Sequence, residues 1–71
     1  MNEQIKISRH PFILIGYWDG RFKTSEPKDH AIYTSELRPG LHAIVRLSDG
    51  QTKFLVRGQF YASLAVARKV A

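Results

Sequence analysis

The amino-acid sequence predicts an α+β fold that is mostly antiparallel β: a strongly bent sheet or small barrel built from two Asp-Gly hairpins, followed by a C-terminal helix. Three observations carry that expectation. Asp19-Gly20 and Asp49-Gly50 each lie between runs rich in β-branched and aromatic residues, and Asp-Gly is a favoured two-residue hairpin turn because both central positions need positive φ. Leu41, Ala43, Val45 and Leu47 alternate along one stretch, which is the period of a strand with one buried face. The stretch QFYASLAVARKV near the C-terminus is rich in alanine, the strongest helix former.

Residues 4–9, QIKISR, place Ile5 and Ile7 on one face of a first strand. The HPF segment is expected to break it, since Pro11 lacks a backbone donor and restrains His10 to extended geometry. Residues 12–18, FILIGYW, form the next strand, and RFKTS returns from the Asp19-Gly20 turn. This register sets Trp18 opposite Arg21, Gly16 opposite Lys23 and Tyr17 opposite Phe22, with Ile15, Tyr17 and Phe22 in the core. Residues 25–40 have two readings. In one, a helix is capped by Ser25, with Pro27 in its first turn, His30, Tyr33 and Leu37 on one face, and a stop at Arg38-Pro39-Gly40. In the other, a loop through Pro27-Lys28-Asp29 leads into a strand AIYTS, which the succession of Ile, Tyr and Thr favours.

Residues 41–57 read as a second hairpin, with Val45 opposite Phe54, Leu47 opposite Thr52 and Ala43 opposite Val56. Gly58 ends it. Phe60, Leu64 and Ala67 then fall at helical spacing, although Phe60, Ala62, Leu64 and Val66 also alternate with period two. Arg68 and Lys69 suit the last helical turn, where cations complement the helix dipole. This strand count and length suit a strongly bent sheet or a small SH3-like barrel. No motif specific to such barrels is present, and a likeness of fold would not supply a function.

A chain of 71 residues is expected to form one domain. At this size only about 60% of the unfolded surface is buried, so the core is thin. There is no cysteine, so neither disulfides nor a cysteine-based zinc site brace the fold, and a reducing compartment is suited. The polar N-terminus MNEQIKISRH and the short apolar run FILIG resemble neither a signal core nor a membrane span. The expectation is a cytoplasmic protein with no membrane partner, and the initiator Met favours a complete small protein over an excised domain.

Eleven Lys and Arg against six Asp and Glu give a formal charge of +5. Such a balance favours polyanions, chiefly nucleic acid, or acidic protein surfaces as partners. Enzyme chemistry is not expected. His10, His30 and His42 lack i, i+3 or i, i+4 spacing, and the zinc-protease, nucleophile-elbow and phosphate-loop motifs are absent. Asp19 and Asp49 are explained as turn residues, and Glu26 and Glu36 are isolated. No cofactor is implied.

Two surfaces remain as candidates. The solvent face of the second hairpin sets Arg46 opposite Lys53 and His42 opposite Arg57, with Ile44 and Leu55 between them. Like charges directly opposite disfavour a sheet, so this face is either covered by the helix, with the cations at its rim, or used for binding. The tip of the first hairpin offers Trp18, Arg21 and Lys23, with Trp18 and Arg21 placed for a cation–π contact. The leading expectation is a non-enzymatic nucleic-acid-binding protein, regulatory or accessory, whose Trp18, Arg21, Lys23, His42, Arg46, Lys53 and Arg57 contact the phosphate backbone of DNA or RNA. The alternative is an interaction module, an inhibitor or adaptor, that docks on an acidic surface of a larger protein. A third reading buries Ile44 and Leu55 between copies of a homo-oligomer.

Overall fold

A computed structural model describes residues 3–71. Seven strands, β1 (Gln4–Ile7), β2 (His10–Trp18), β3 (Lys23–Thr24), β4 (His30–Ser35), β5 (Leu41–Arg46), β6 (Thr52–Val56) and β7 (Gln59–Tyr61), precede one helix, α1 (Leu64–Val70). All strand pairs are antiparallel. The order is β1-β2-β4-β5-β6-β7, and β3 pairs with β2 beside this path. Since β4 occupies one edge of β2 from Phe12 to Trp18, β1 and β3 share the other. The order ends at β1 and β7, so the sheet is not closed into a barrel.

Residues 25–40 resolve in favour of the loop and strand, for β4 contains Ile32, Tyr33 and Thr34 in succession. The break after β1 comes one step earlier than the HPF segment. Ser8 and Arg9, at φ 49° and 68°, connect Ile7 to its partner His10. Pro11 lies within β2, tolerated near its start, where its carbonyl accepts the amide of Glu36 at 3.1 Å. The expected helix is shortened from its N-terminal side. Arg57 and Gly58, at φ 50° and 81°, make a second tight turn that joins Val56 to Gln59, so Phe60 and Tyr61 become strand. Positive φ at both central residues is the signature of the type I′ hairpin. Ser63 then caps α1, its side chain accepting from the amide of Val66.

Both Asp-Gly pairs lie in four-residue loops, which corrects the predicted registers by two residues. Trp18 faces Lys23 and Tyr17 faces Thr24, because the Asp19 carboxylate accepts the amides of Arg21 at 2.8 Å and Phe22 at 2.9 Å and so draws both residues into the loop. In the second hairpin Val45 faces Thr52, Ala43 faces Phe54 and Ile44 faces Lys53. There the Arg46 amide donates to the Gln51 carbonyl at 2.8 Å, and the Gly50 amide donates back to the Arg46 carbonyl at 2.7 Å. Phe22 and Leu47, expected in strands and in the core, are therefore loop residues, 71% and 50% exposed. A shift of two preserves facing, because side chains alternate with period two.

The core gathers on one face. Phe12, Ala31, Tyr33, Leu41, Ala43, Phe54 and Val56 pack with Leu64 and Ala67 of α1. Ile15 departs from the expectation: the register slips between Leu14 and Gly16, and this β-bulge takes Ile15 out of the core while Tyr17 remains packed against it.

His10 and Ser35 are the buried polar pair of this core. The Ser35 hydroxyl accepts the amides of Leu37 at 3.1 Å and Arg38 at 2.9 Å. Its own proton is then directed to Nε2 of His10, 2.5 Å away. That geometry needs a neutral imidazole, and burial, with Arg68 and Arg38 adding to it, holds His10 below its ordinary pKa. Unfolded chains protonate histidine near pH 6.5, so below that value the unfolded state binds more protons and folding weakens as pH falls.

Two stability measurements check this packing. Phe54→Ala should cost about 3–5 kcal/mol in denaturant unfolding, whereas Phe22→Ala should stay within about 0.5 kcal/mol; equal effects would restore the two-residue turn. Stability should also decline from pH 7 to pH 5 by at most about 1.4 kcal/mol per pH unit from this one group, and His10→Gln should flatten that slope.

Candidate functional site

The helix does not cover the face that carries Ile44 and Leu55. Leu64 and Ala67 join the core cluster of Phe12, Leu41 and Val56 on the opposite face. Of the two explanations offered by the sequence for apolar residues beside cations, coverage by the helix is thus removed.

Three cross-strand rows build the uncovered face. The first runs Lys23, Trp18, His30, Arg46 across β3, β2, β4 and β5. The second runs Gly16, Ile32, Ile44, Lys53 across β2, β4, β5 and β6. The third runs Ile13, Thr34, His42, Leu55, Phe60 from β2 to β7. The bulge at Leu14/Gly16 puts Trp18 on the same face as Ile32 and Ile44, in the neighbouring row beside His30. Lys23 lies over Gly16: a Cβ added there would come within 3.1 Å of Lys23 Cε and 3.0 Å of the Thr24 carbonyl oxygen.

Two adjoining hollows result. One, of about 220 Å³, lies among Trp18, His30, Arg46, Gln51 and Lys53. The other, of about 410 Å³, lies among Ile15, Lys23, Ile32, His42 and Leu55. Trp18, Ile44 and Phe60 border both. Ile44 is buried, and Phe60 is 51% exposed. Trp18 leans on His30 with ring centroids 5.4 Å apart at 55°, not on Arg21. Among the described residues no Asp or Glu lines either hollow. Nδ1 of His30 and Nδ1 of His42 are buried and have no hydrogen-bond partner.

Of the seven residues singled out from sequence, Trp18, Lys23, His42, Arg46 and Lys53 meet at this groove. Arg21 sits in the loop after β2. Arg57 sits in the turn after β6 and lies near Gln59, Tyr61 and Val70, away from the groove. The predicted Arg46–Lys53 and His42–Arg57 pairs are replaced by Ile44–Lys53 and His42–Leu55, so no two like charges stand directly opposite there. Phe60 and His30 were missed. Period-two alternation pointed to a strand at Phe60, but alanine content favoured the helix. His30 carries no binding signal in the sequence: it stands on the face of the alternative helix, and its spacing to His10 and His42 gives no metal or catalytic pattern.

Arg46 is engaged internally. Its Nε donates to Asp49 Oδ1 at 3.0 Å and its Nη2 to Oδ2 at 2.5 Å. That fork, with the Gln51 amide, holds the Asp49 carboxyl down to about 2. The freely available cations of the groove are therefore Lys23 and Lys53. Ser35 and His10, the residue types of a nucleophile and base, are both buried on the core side, and the hydroxyl's lone pairs are taken by amides. Among the described residues no three His, Cys, Asp or Glu side chains converge to hold a metal ion, and no helix is long and apolar enough to cross a membrane.

Comparison with protein-family models, with curated proteins and with solved structures finds no match to this chain. The groove is read from its own chemistry.

Asp49→Asn keeps an acceptor for the loop amide and releases the Arg46 guanidinium. Affinity for heparin at low salt should rise about two- to fivefold, the scale of one exposed ion pair; unchanged affinity would place Arg46 outside the polyanion-binding surface.

Proposed function

We propose that this chain is a small, non-enzymatic nucleic-acid-binding protein that contacts the phosphate backbone through the basic sheet face bearing Lys23, Lys53, His42 and Arg46. The observation that carries this reading is a groove edged by cations, without a carboxylate in its lining among the described residues, on a chain of formal charge +5. Phosphate contacts of this kind give affinity and position and little sequence readout. Arg21, on the neighbouring loop, extends the positive edge.

A protein-interaction module docking on an acidic surface is the second reading. The apolar floor of Ile32, Ile44 and Leu55 favours it, since interface centres are apolar and ringed by polar groups.

Binding to a mixed-sequence oligonucleotide should weaken steeply with salt, because neutralised phosphates release counterions. Lys23→Gln and Lys53→Gln should each lower the slope of log K against log salt by about one. Absence of binding to any oligonucleotide at low salt, together with nuclease-resistant capture of a defined acidic partner, would transfer the function to the second reading.

A further inference from the structure

We propose that the ligand of this groove is single-stranded nucleic acid, with unpaired bases laid on Trp18 and Phe60 over the floor of Ile32 and Ile44. This rests on the nucleic-acid reading above and names the form of nucleic acid that the groove takes.

The shape of the face excludes a duplex as the fitting partner. Proteins that read duplex bases project a helix or a two-stranded ribbon into a major groove about 12 Å wide. Here Lys23 borders a recess of about 410 Å³ whose floor is aliphatic, and Lys53 borders the adjoining hollow. The outside of a duplex offers only phosphate and sugar to such a recess, and charged phosphates gain nothing from Ile32 or Ile44. An unpaired base brings a flat, weakly polar face that stacks on aromatic rings. Trp18 and Phe60 border both hollows, and Phe60 is an exposed residue.

The cations are spaced for a strand crossing the sheet. Lys23 on β3 and Lys53 on β6 are separated by β2, β4 and β5. At about 4.8 Å per strand this is on the order of 19 Å along a flat sheet, and less along a curved one. A backbone running across the strands meets Lys23, passes its bases over Trp18 and Ile44, and reaches Lys53, with Phe60 on the next strand, β7, offering a ring to the base beyond. About two or three bases fill such a path, as on other aromatic-bearing sheets. The buried Nδ1 atoms of His30 and His42, which have no partner within the protein, flank Ile44 in the two outer rows. A neutral imidazole nitrogen either donates or accepts, and an unpaired base edge presents both kinds of group.

Trp18 is the only tryptophan of the chain, so its fluorescence reports the groove directly. Twelve-nucleotide single-stranded DNA, the RNA of the same sequence and the corresponding DNA duplex are titrated against the full chain at one salt concentration. At least one single strand is expected to bind tenfold or more tightly than the duplex and to quench Trp18, and the DNA and RNA arms identify the sugar. Phe60→Ala should reduce single-strand affinity by about 5- to 100-fold, leave duplex affinity unchanged and preserve the melting temperature. Equal binding of duplex and single strand, insensitive to Phe60→Ala, overturns this inference and leaves the phosphate-binding reading standing. No binding of any oligonucleotide at low salt, with quenching by poly-glutamate, overturns both.

Discussion

A helix of seven residues can cover only one face of a seven-stranded sheet, and in this chain it covers the face of Leu41, Phe54 and Val56. Leu64 and Ala67 complete that core. The opposite face is left to the solvent although it carries Ile32, Ile44, Leu55 and Phe60. A chain this short has too little apolar mass for two cores, so the placement of α1 determines at once where stability resides and which surface is available to a partner.

The β-bulge at Leu14/Gly16 completes the separation of the two faces. It inserts one residue into β2, so that alternation before and after it is out of phase. Phe12 and Leu14 point to the core before the bulge, and Tyr17 does so after it. Trp18 is thereby turned onto the open face, in register with His30 and next to the row that holds Ile32 and Ile44. Without the bulge, Trp18 would enter the core and the groove would lose its largest ring.

Electrostatics on the open face are selective. Arg46 is tied to Asp49 by a two-point contact and secures its own loop. Lys23 and Lys53 border the groove without a carboxylate beside them in its lining. Their position sets two cations beside the rings of Trp18 and Phe60.

Much of this was legible in local chemistry. The alternation of Leu41, Ala43 and Val45 identifies the buried face of β5, the two Asp-Gly pairs mark where hairpins reverse, and the Ile-Tyr-Thr run of β4 outweighs the helical pattern around it. Arg68 and Lys69 mark the last turn of the helix. These features depend on neighbours within a few residues, and the sequence determines them by itself. Register was not legible, because a two-residue turn and a four-residue loop preserve the same alternation. What distinguishes them is whether Asp19 and Asp49 accept amides from the residues that follow, and Phe22 and Leu47 move from core to loop accordingly. The bulge, the face chosen by α1 and the meeting of Lys23, Trp18, His30, Lys53 and Phe60 were likewise decided only by the tertiary structure. These residues come from five strands and share a groove only because the sheet pairs in one register and leaves one face uncovered.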